Sequence, residues 1–214
     1  GQVVVMRLLV ILAETGTVLL LFKLFKRLHL PSNRIALYAL NPLVIVELTG
    51  NLHFEAFMIF FLALSLLWLV QSKWYLAGCG LGLAFLVKLL PLLLLPFLLK
   101  WLDWRTFIRL VAAFLATSLL LFLPFDPLKT LPNILESLRL YYQHFEFNGS
   151  VYTIFRGIGY LIKGYNWIAV AGPATGVVFL IAYSLYFTVS KVGSVYQVPV
   201  KWLWILFFYF LCMT

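Results

Sequence analysis

The chain has 214 residues, of which 64% are hydrophobic and 11% are charged, and its formal net charge at pH 7 is +9. Soluble domains carry about a quarter charged residues, so this composition excludes an ordinary soluble domain. At least five apolar stretches approach the roughly 20 residues that cross a bilayer. They predict an all-α, polytopic transmembrane helix bundle of about seven or eight membrane segments, one of which is a short helical hairpin.

The predicted spans begin near the N-terminus. They cover about residues 3–22, 35–49, 53–70, 107–124 and 167–189, with an incomplete run at 199–212. Glu14 lies inside the first span, and a carboxylate at that depth needs a partner on a neighbouring helix. The chain starts without an initiator Met and stops inside an apolar run. We therefore expect residues 1–214 to be a single transmembrane domain, truncated at both ends.

Four basic residues surround the loop after the first span: Lys23, Lys26, Arg27 and Arg34. No nucleic-acid recognition motif accompanies them, so we expect no nucleic-acid partner. Basic loops beside apolar spans instead mark the cytoplasmic face of a membrane protein. The positive charge therefore reports topology.

The second and third spans are predicted to meet in a tight turn at residues 49–51. Gly50 suits the position just past a helix end, and Asn51 suits the cap of the next helix. A helix that begins there directs its positive end and free N–H groups at the membrane surface, as at phosphate sites.

Residues 74–99 fit either one tilted helix or two short helices, 75–87 and 91–100, that turn at Lys88. Pro91 and Pro96 each remove a helix hydrogen bond. With a hairpin, ten basic residues fall on one side of the membrane with Asp103 as the only acid. They are Lys23, Lys26, Arg27, Arg34, Lys73, Lys100, Arg105, Arg109, Lys191 and Lys201.

With one continuous span, every later loop changes sides and this asymmetry nearly vanishes. Charge bias therefore favours the hairpin, with the basic loops in the cytoplasm. The turn within residues 41–55 and the loop 125–165 then lie on the opposite side. In that loop, apolar residues at helical spacing predict an amphipathic interfacial helix at about 130–146, with Thr130 as its N-cap and Pro132 in its first turn.

Residues 41–55 place two glutamates, a histidine and asparagines beside hydrocarbon, where ionisable groups are costly and commonly functional. Glu47, Asn51, His53 and Glu55 are the candidates. Structural explanations stay open: Asn51 and Glu55 suit a helix start, and His53 suits a membrane interface. No metal site is predicted.

Two further groups are candidates for substrate binding. Lys88 at the hairpin turn can hold a phosphate, or can extend its ammonium to the interface. Asn148, Tyr152 and Arg156 belong to a polar and aromatic segment that either lines a substrate groove or forms an ordinary surface turn.

The motif at 41–55 resembles a membrane-surface turn of the GT-C glycosyltransferases. It comprises Asn-Pro-Leu at 41–43, then Glu47, then Gly-Asn-x-His-x-Glu at 50–55. These polytopic enzymes use polyprenyl-phosphate-linked sugars, and the nearest relatives are the membrane mannosyltransferase-like proteins of glycosyltransferase family 87. Residues 77–96 are similar to the family's short helical hairpin, and residues 150–156 to a later motif.

The resemblance implies an inverting transfer of a hexosyl or mannosyl unit from a polyprenyl-phosphate sugar to a glycan or lipid acceptor hydroxyl on the non-cytoplasmic face. It implies a bacterial inner membrane rather than an ER membrane. No cofactor beyond the donor lipid is expected, with a divalent metal optional. The implied organising acids are Glu55, His53 and Glu47, and the implied substrate or phosphate contacts are Asn51, Lys88, Tyr152, Arg156 and Asn148.

The family's principal acid lies in an earlier loop, so we expect it upstream of Gly1 and expect this fragment alone to be inactive. Two other functions stay open. A transporter or flippase for a lipid-linked substrate also uses broken helices, usually with repeated halves, and no repeat is visible here. A non-catalytic membrane scaffold subunit would lack an acid in the upstream loop.

Overall fold

The computed structural model describes residues 1–144 and 151–212, with side chains for all of these except 141–144. Every regular element in these ranges is helical, as predicted. Two compact units are formed, Gly1–Phe122 and a second that begins at Leu123.

The first unit contains six α-helices. They are α1 (Gln2–Arg27), α2 (Ala36–Ala39), α3 (Glu55–Val70), α4 (Trp74–Val87), α5 (Leu95–Leu99) and α6 (Trp104–Phe122). Helix α3 packs against both α1 and α4, and α4 packs against α6. Val10 and Ala13 of α1 and Ala56 of α3 are buried together with Leu48. The core of this unit therefore lies along α1, α3, α4 and α6.

Glycines permit the close approach of these helices. A Cβ on Gly78 of α4 would overlap the backbone carbonyl of Leu110 on α6. A Cβ on Gly82, one turn later, would lie 2.9 Å from the carbonyl oxygen of Phe114. Small residues spaced four apart allow such backbone contact between membrane helices, where no hydrophobic force drives association.

The predicted second span, 35–49, is wrong as a continuous helix. The chain forms a 3₁₀ turn at Ser32–Ile35, the short α2, and a π-helix at Val44–Gly50. Glu14 of α1 reaches this irregular segment, because the Tyr38 hydroxyl donates to both of its carboxylate oxygens at 2.9 and 3.2 Å. The predicted interhelical partner of Glu14 is therefore confirmed.

The predicted break at Lys88 is confirmed. Helix α4 ends at Val87, and Lys88 is extended, with φ −155° and ψ 143°. A 3₁₀ helix, Leu90–Leu94, then lies against α4 and leads into α5. Both prolines occupy first-turn positions, where no helix hydrogen bond is lost.

The second unit contains four described α-helices. They are α7 (Pro127–His144), α8 (Val151–Lys163), α9 (Ile168–Val189) and α10 (Gln197–Cys212). Helix α9 packs against each of the other three. Phe179 of α9 is buried and meets the ring of Tyr209 on α10 edge to face at 5.5 Å. The core of this unit therefore surrounds α9.

Helix α7 occupies most of the segment predicted as an amphipathic helix. Its start is three residues earlier than predicted, with Pro127 in the first turn, so Pro132 lies inside the helix. Thr130 is not the N-cap, because its hydroxyl donates to the carbonyl of Phe125 from within the first turn. The location of α7 at a membrane surface stays a prediction.

Three helices in the described part of the chain are long and apolar enough to cross a membrane: Gln2–Arg27, Trp104–Phe125 and Ile168–Val189. A fourth span results if the Val44–Gly50 and Glu55–Val70 helices, bent by 113°, count as one. The predicted count of about seven or eight membrane segments is not confirmed for these residues. The apolar run at 35–49 is broken, and several other apolar helices are shorter than a full span.

Candidate functional site

The candidate site begins at a sharp turn between the π-helix Val44–Gly50 and α3. Asn51 caps the end of the π-helix, and Leu52 adopts the left-handed conformation with φ +58°. The amide of His53 donates to the carbonyl of Leu48 at 3.1 Å and closes the turn. The predicted capping was therefore wrong, since Leu52 rather than Gly50 carries the left-handed backbone and α3 starts at Glu55.

Glu47 and Asn51 lie one turn apart on the same face. The Asn51 side-chain amide donates to Glu47 Oε2 at 3.1 Å. His53 Nε2 lies 3.9 Å from the same oxygen. The π-helix and the following turn thus position the Glu47 carboxylate against the side chains of Asn51 and His53.

Glu55 pairs with a lysine from a distant helix end. Lys88 Nζ donates to Glu55 Oε1 at 2.5 Å. His53 Nδ1 lies 3.8 Å from the other oxygen, Oε2. The extended backbone at Lys88 ends α4 and leaves its side chain beside the first turn of α3. The break in α4 and the break before α3 thus bring opposite charges together.

His53 lies between the two carboxylates of the cluster. Its ring nitrogens are within 4 Å of Glu47 on one side and Glu55 on the other. Its side chain is 48% exposed, so a substrate hydroxyl can approach it. We call Glu47, Asn51, His53, Glu55 and Lys88 the acidic-turn cluster.

Arg7 is the residue that sequence reasoning missed. Its guanidinium donates to the carbonyl oxygen of Gly50 at 3.3 Å. A charged residue one turn into an apolar span costs free energy and commonly marks a functional site. The position of Arg7 in the first predicted span was therefore the signal that could have identified it. Arg7 adds a second cation beside the turn, which therefore lies near the N-terminal end of α1.

The remaining predicted residues belong to the part of the chain that follows Phe122. Tyr152 belongs to the second unit and is 2% exposed, and its hydroxyl donates to Asn166 Oδ1 at 2.8 Å. Arg156 lies one turn later on α8 and is half-buried. Asn148 falls outside the described residues. The Tyr152 side chain thus belongs to the core of its unit, and its contact with a substrate stays a prediction.

Metal binding has no candidate among the described residues. No group of three or more His, Cys, Asp or Glu side chains there could hold an ion. Within the acidic-turn cluster, Lys88 already neutralises one of the two carboxylates. The arrangement suits proton transfer, hydrogen bonding to hydroxyls and anion binding by cations.

Comparison with known families gives a match in the first part of the chain. Residues 1–103 match the model of the MptA_B family, described as alpha-(1->6)-mannopyranosyltransferase, N-terminal domain. The match includes all five residues of the acidic-turn cluster and Arg7. The predicted resemblance to membrane mannosyltransferases is therefore confirmed for this part of the chain. No curated protein and no solved structure matches the chain.

Proposed function

We propose that the chain is part of a membrane glycosyltransferase of the mannosyltransferase type, which transfers a hexosyl unit from a polyprenyl-phosphate sugar to an acceptor hydroxyl. One observation carries the proposal. Two helix breaks, within the region similar to the mannosyltransferase N-terminal domain, bring the acidic-turn cluster together. Such costly polar groups in apolar helices are commonly functional.

The reaction exchanges two bonds at the anomeric carbon. The acceptor oxygen attacks that carbon, and the bond to the phosphate oxygen breaks with its electron pair leaving on the phosphate. Attack opposite the leaving group inverts the configuration. A carboxylate accepts the proton of the acceptor hydroxyl.

Lys88 is the proposed partner of the departing phosphate. An ammonium has three N–H donors, and Glu55 accepts from only one of them. The others are available to phosphate oxygens as negative charge develops there. Arg7 has further donors beyond the one that binds the Gly50 carbonyl. Glu55 thus orients Lys88 instead of acting as the principal base, because pairing with an ammonium weakens a carboxylate as a proton acceptor.

Glu47, Asn51 and His53 are proposed to bind the acceptor. The Glu47 side chain is 42% exposed and accepts one hydrogen bond from Asn51, which leaves lone pairs for a sugar hydroxyl. His53 can relay a proton between the two glutamates, since it is close to both. These three residues organise the acceptor side, while Lys88 and Arg7 face the donor phosphate.

The geometry of α1 supports a location of the acidic-turn cluster on the non-cytoplasmic face of the membrane. Arg7 contacts the turn at one end of α1, and Lys26 and Arg27 lie in the last turn at the other. Arg7 and Lys26 are 19 residues apart, or about 28 Å along a helix. That length is close to the hydrocarbon thickness of a bilayer. If the basic loop is cytoplasmic, the acidic-turn cluster faces the other side.

The test is sugar transfer by the full-length protein in liposomes that contain polyprenyl-phosphate mannose or polyprenyl-phosphate glucose. We expect Lys88→Ala and Glu55→Gln each to lower turnover about 100-fold. Lys88→Ala removes the ammonium that stabilises the departing phosphate, and Glu55→Gln removes the carboxylate that orients this ammonium. Lys73→Ala is the matched control. It removes a lysine from the turn between α3 and α4, outside the cluster, and should leave turnover unchanged.

Unchanged turnover in both cluster variants would contradict the assignment. A second contradictory outcome is movement of the lipid-linked sugar across the bilayer without transfer, which would identify a transporter.

A further inference from the structure

An open apolar groove lies at the other end of α1 from the acidic-turn cluster. It has a volume of about 370 Å³. Its lining includes Val18, Phe22, Ser32, Asn33, Ala36 and Ala39. Because Tyr38 contacts Glu14, the return from Ser32 to Leu40 runs antiparallel to α1. Ser32 and Asn33 therefore mark the groove end that is nearest the C-terminus of α1.

The surroundings of that end are strongly basic. The sequence from residue 15 to residue 46 contains four Lys or Arg side chains and no acid. All four are exposed, and none forms an ion pair within the described ranges. Two of them, Lys26 and Arg27, lie in the last turn of α1, and Arg34 follows Ser32 and Asn33 directly. An apolar groove thus ends among unneutralised cations and two polar side chains.

We propose that this groove binds an anionic phospholipid of the leaflet on the basic side, with one acyl chain between α1 and residues 32–40 and the phosphate among Lys26, Arg34 and Ser32. Clusters of basic residues beside a membrane helix attract acidic headgroups. The concave apolar surface accepts a chain that a flat helix face would not retain. Charge complementarity thus selects an acidic phospholipid over a neutral one.

The lipid is distinct from the proposed sugar donor. The donor phosphate is assigned to Lys88 and Arg7, about 28 Å along α1 from Lys26. A lipid in this groove would instead fix the short irregular segment after α1. That segment includes Tyr38, which contacts Glu14 near the middle of α1. Absence of phospholipid from this groove would leave the proposed transfer reaction unaffected, because the two involve different residues.

The experiment compares retention of phosphatidylglycerol and phosphatidylcholine by the full-length protein, using native mass spectrometry after exchange from mixed detergent micelles. We expect phosphatidylglycerol to be retained preferentially. Lys26→Gln and Arg34→Gln should each lower that retention about fivefold, as expected for one charge near a headgroup. Lys73→Gln makes the same change in the turn between α3 and α4, outside the groove lining and the proposed phosphate contacts, and should have no effect. Ala36→Phe should fill the groove and lower retention without changing charge.

Three outcomes would overturn the proposal. Equal retention of both phospholipids by the wild type would show that the basic residues do not select an acidic headgroup. An equal loss in Lys73→Gln would show attraction by net charge instead of a site. The third outcome is displacement of phosphatidylglycerol by an equimolar polyprenyl phosphate. If Ala36→Phe also prevented binding of the polyprenyl phosphate, the groove would be assigned to the donor lipid.

Discussion

Lys88 Nζ and Glu55 Oε1 are 2.5 Å apart, although 33 residues separate them in the chain. Each residue stands at a helix break: Glu55 begins α3, and Lys88 follows the last residue of α4. Because α3 and α4 pack side by side, the start of one and the end of the other meet at the same edge of the unit. The antiparallel helix pair thus builds the charged part of the candidate site.

The first prediction reverses this charge pair. Glu55→Lys and Lys88→Glu each place like charges together and should lower the apparent melting temperature in detergent. The double variant should recover most of that loss. We expect a coupling energy of at most about 1 kcal/mol, since both side chains keep considerable exposure.

Sugar transfer separates a functional pair from a structural one. The double variant restores the pair but moves the ammonium to position 55, so transfer should stay lost while stability returns. Recovery of both stability and transfer would show that the pair only holds the two helices together.

The second prediction concerns the left-handed backbone at Leu52. Branching at Cβ makes this conformation unfavourable, whereas glycine adopts it freely. Leu52 also packs beside the buried cluster of Val10 and Ala56, so both shortened side chains lose contacts. We nevertheless expect Leu52→Val to destabilise the protein more than Leu52→Gly, although Gly removes more apolar surface.

Chemical unfolding of the two variants in detergent gives the order. The reverse order, with Gly the more destabilising, would mean that packing at Leu52 outweighs its backbone strain.

The Lys88 break could be predicted from the sequence, because local chemistry determines it. Two prolines and a charged residue within a short apolar stretch disfavour one continuous helix. The candidate residues Glu47, Asn51, His53 and Glu55 could also be predicted, since polar groups stand out in an apolar chain. These signals are carried by the residues themselves.

The conformation of residues 35–54 could not be predicted in the same way. Its apolar run has the composition of a span, yet the π-helix and the left-handed Leu52 depend on contacts with α1 that have no local signature. Arg7 illustrates the same limit, since its partner is a backbone carbonyl 43 residues away. Tertiary contacts, and not local propensity, determine this part of the fold.

The third prediction tests the close contact of α4 and α6. A methyl group on Gly78 would overlap the carbonyl of Leu110, and backbone cannot move aside cheaply. Gly78→Ala should therefore destabilise the protein by about 1–3 kcal/mol in unfolding measurements. Gly176→Ala is the control, because no atom lies within 4 Å of a Cβ at that helical position. It should be neutral or stabilising, by up to about 1 kcal/mol.

Loss of stability of similar size in both variants would contradict close packing at Gly78.

The fourth prediction is a pH dependence at the start of α6. Hydrogen bonds from the side chain and backbone of Thr106 lower the pKa of Asp103, whose Oδ2 accepts the Thr106 amide at 3.0 Å. A carboxyl with a lowered folded pKa contributes stability above its unfolded pKa of about 3.9 and loses it as the pH falls through the folded value. Asn caps helices equally well without titrating.

Melting temperature measured from about pH 6 to about pH 3 should therefore fall less in Asp103→Asn than in the wild type. Parallel curves would show that the cap makes no pH-dependent contribution.

The fifth prediction distinguishes a structural Tyr152 from a substrate-binding one. The hydroxyl is buried and donates to Asn166, so Tyr152→Phe should lower stability by about 1 kcal/mol and leave the KM for the sugar donor unchanged. Tyr160→Phe on the same helix is the control, since Tyr160 is 55% exposed, and it should change neither quantity. A raised KM at unchanged stability in Tyr152→Phe would support the predicted contact with the substrate. Loss of a core hydroxyl thus changes stability, whereas loss of a substrate contact changes the KM, so the single substitution Tyr152→Phe distinguishes the two roles.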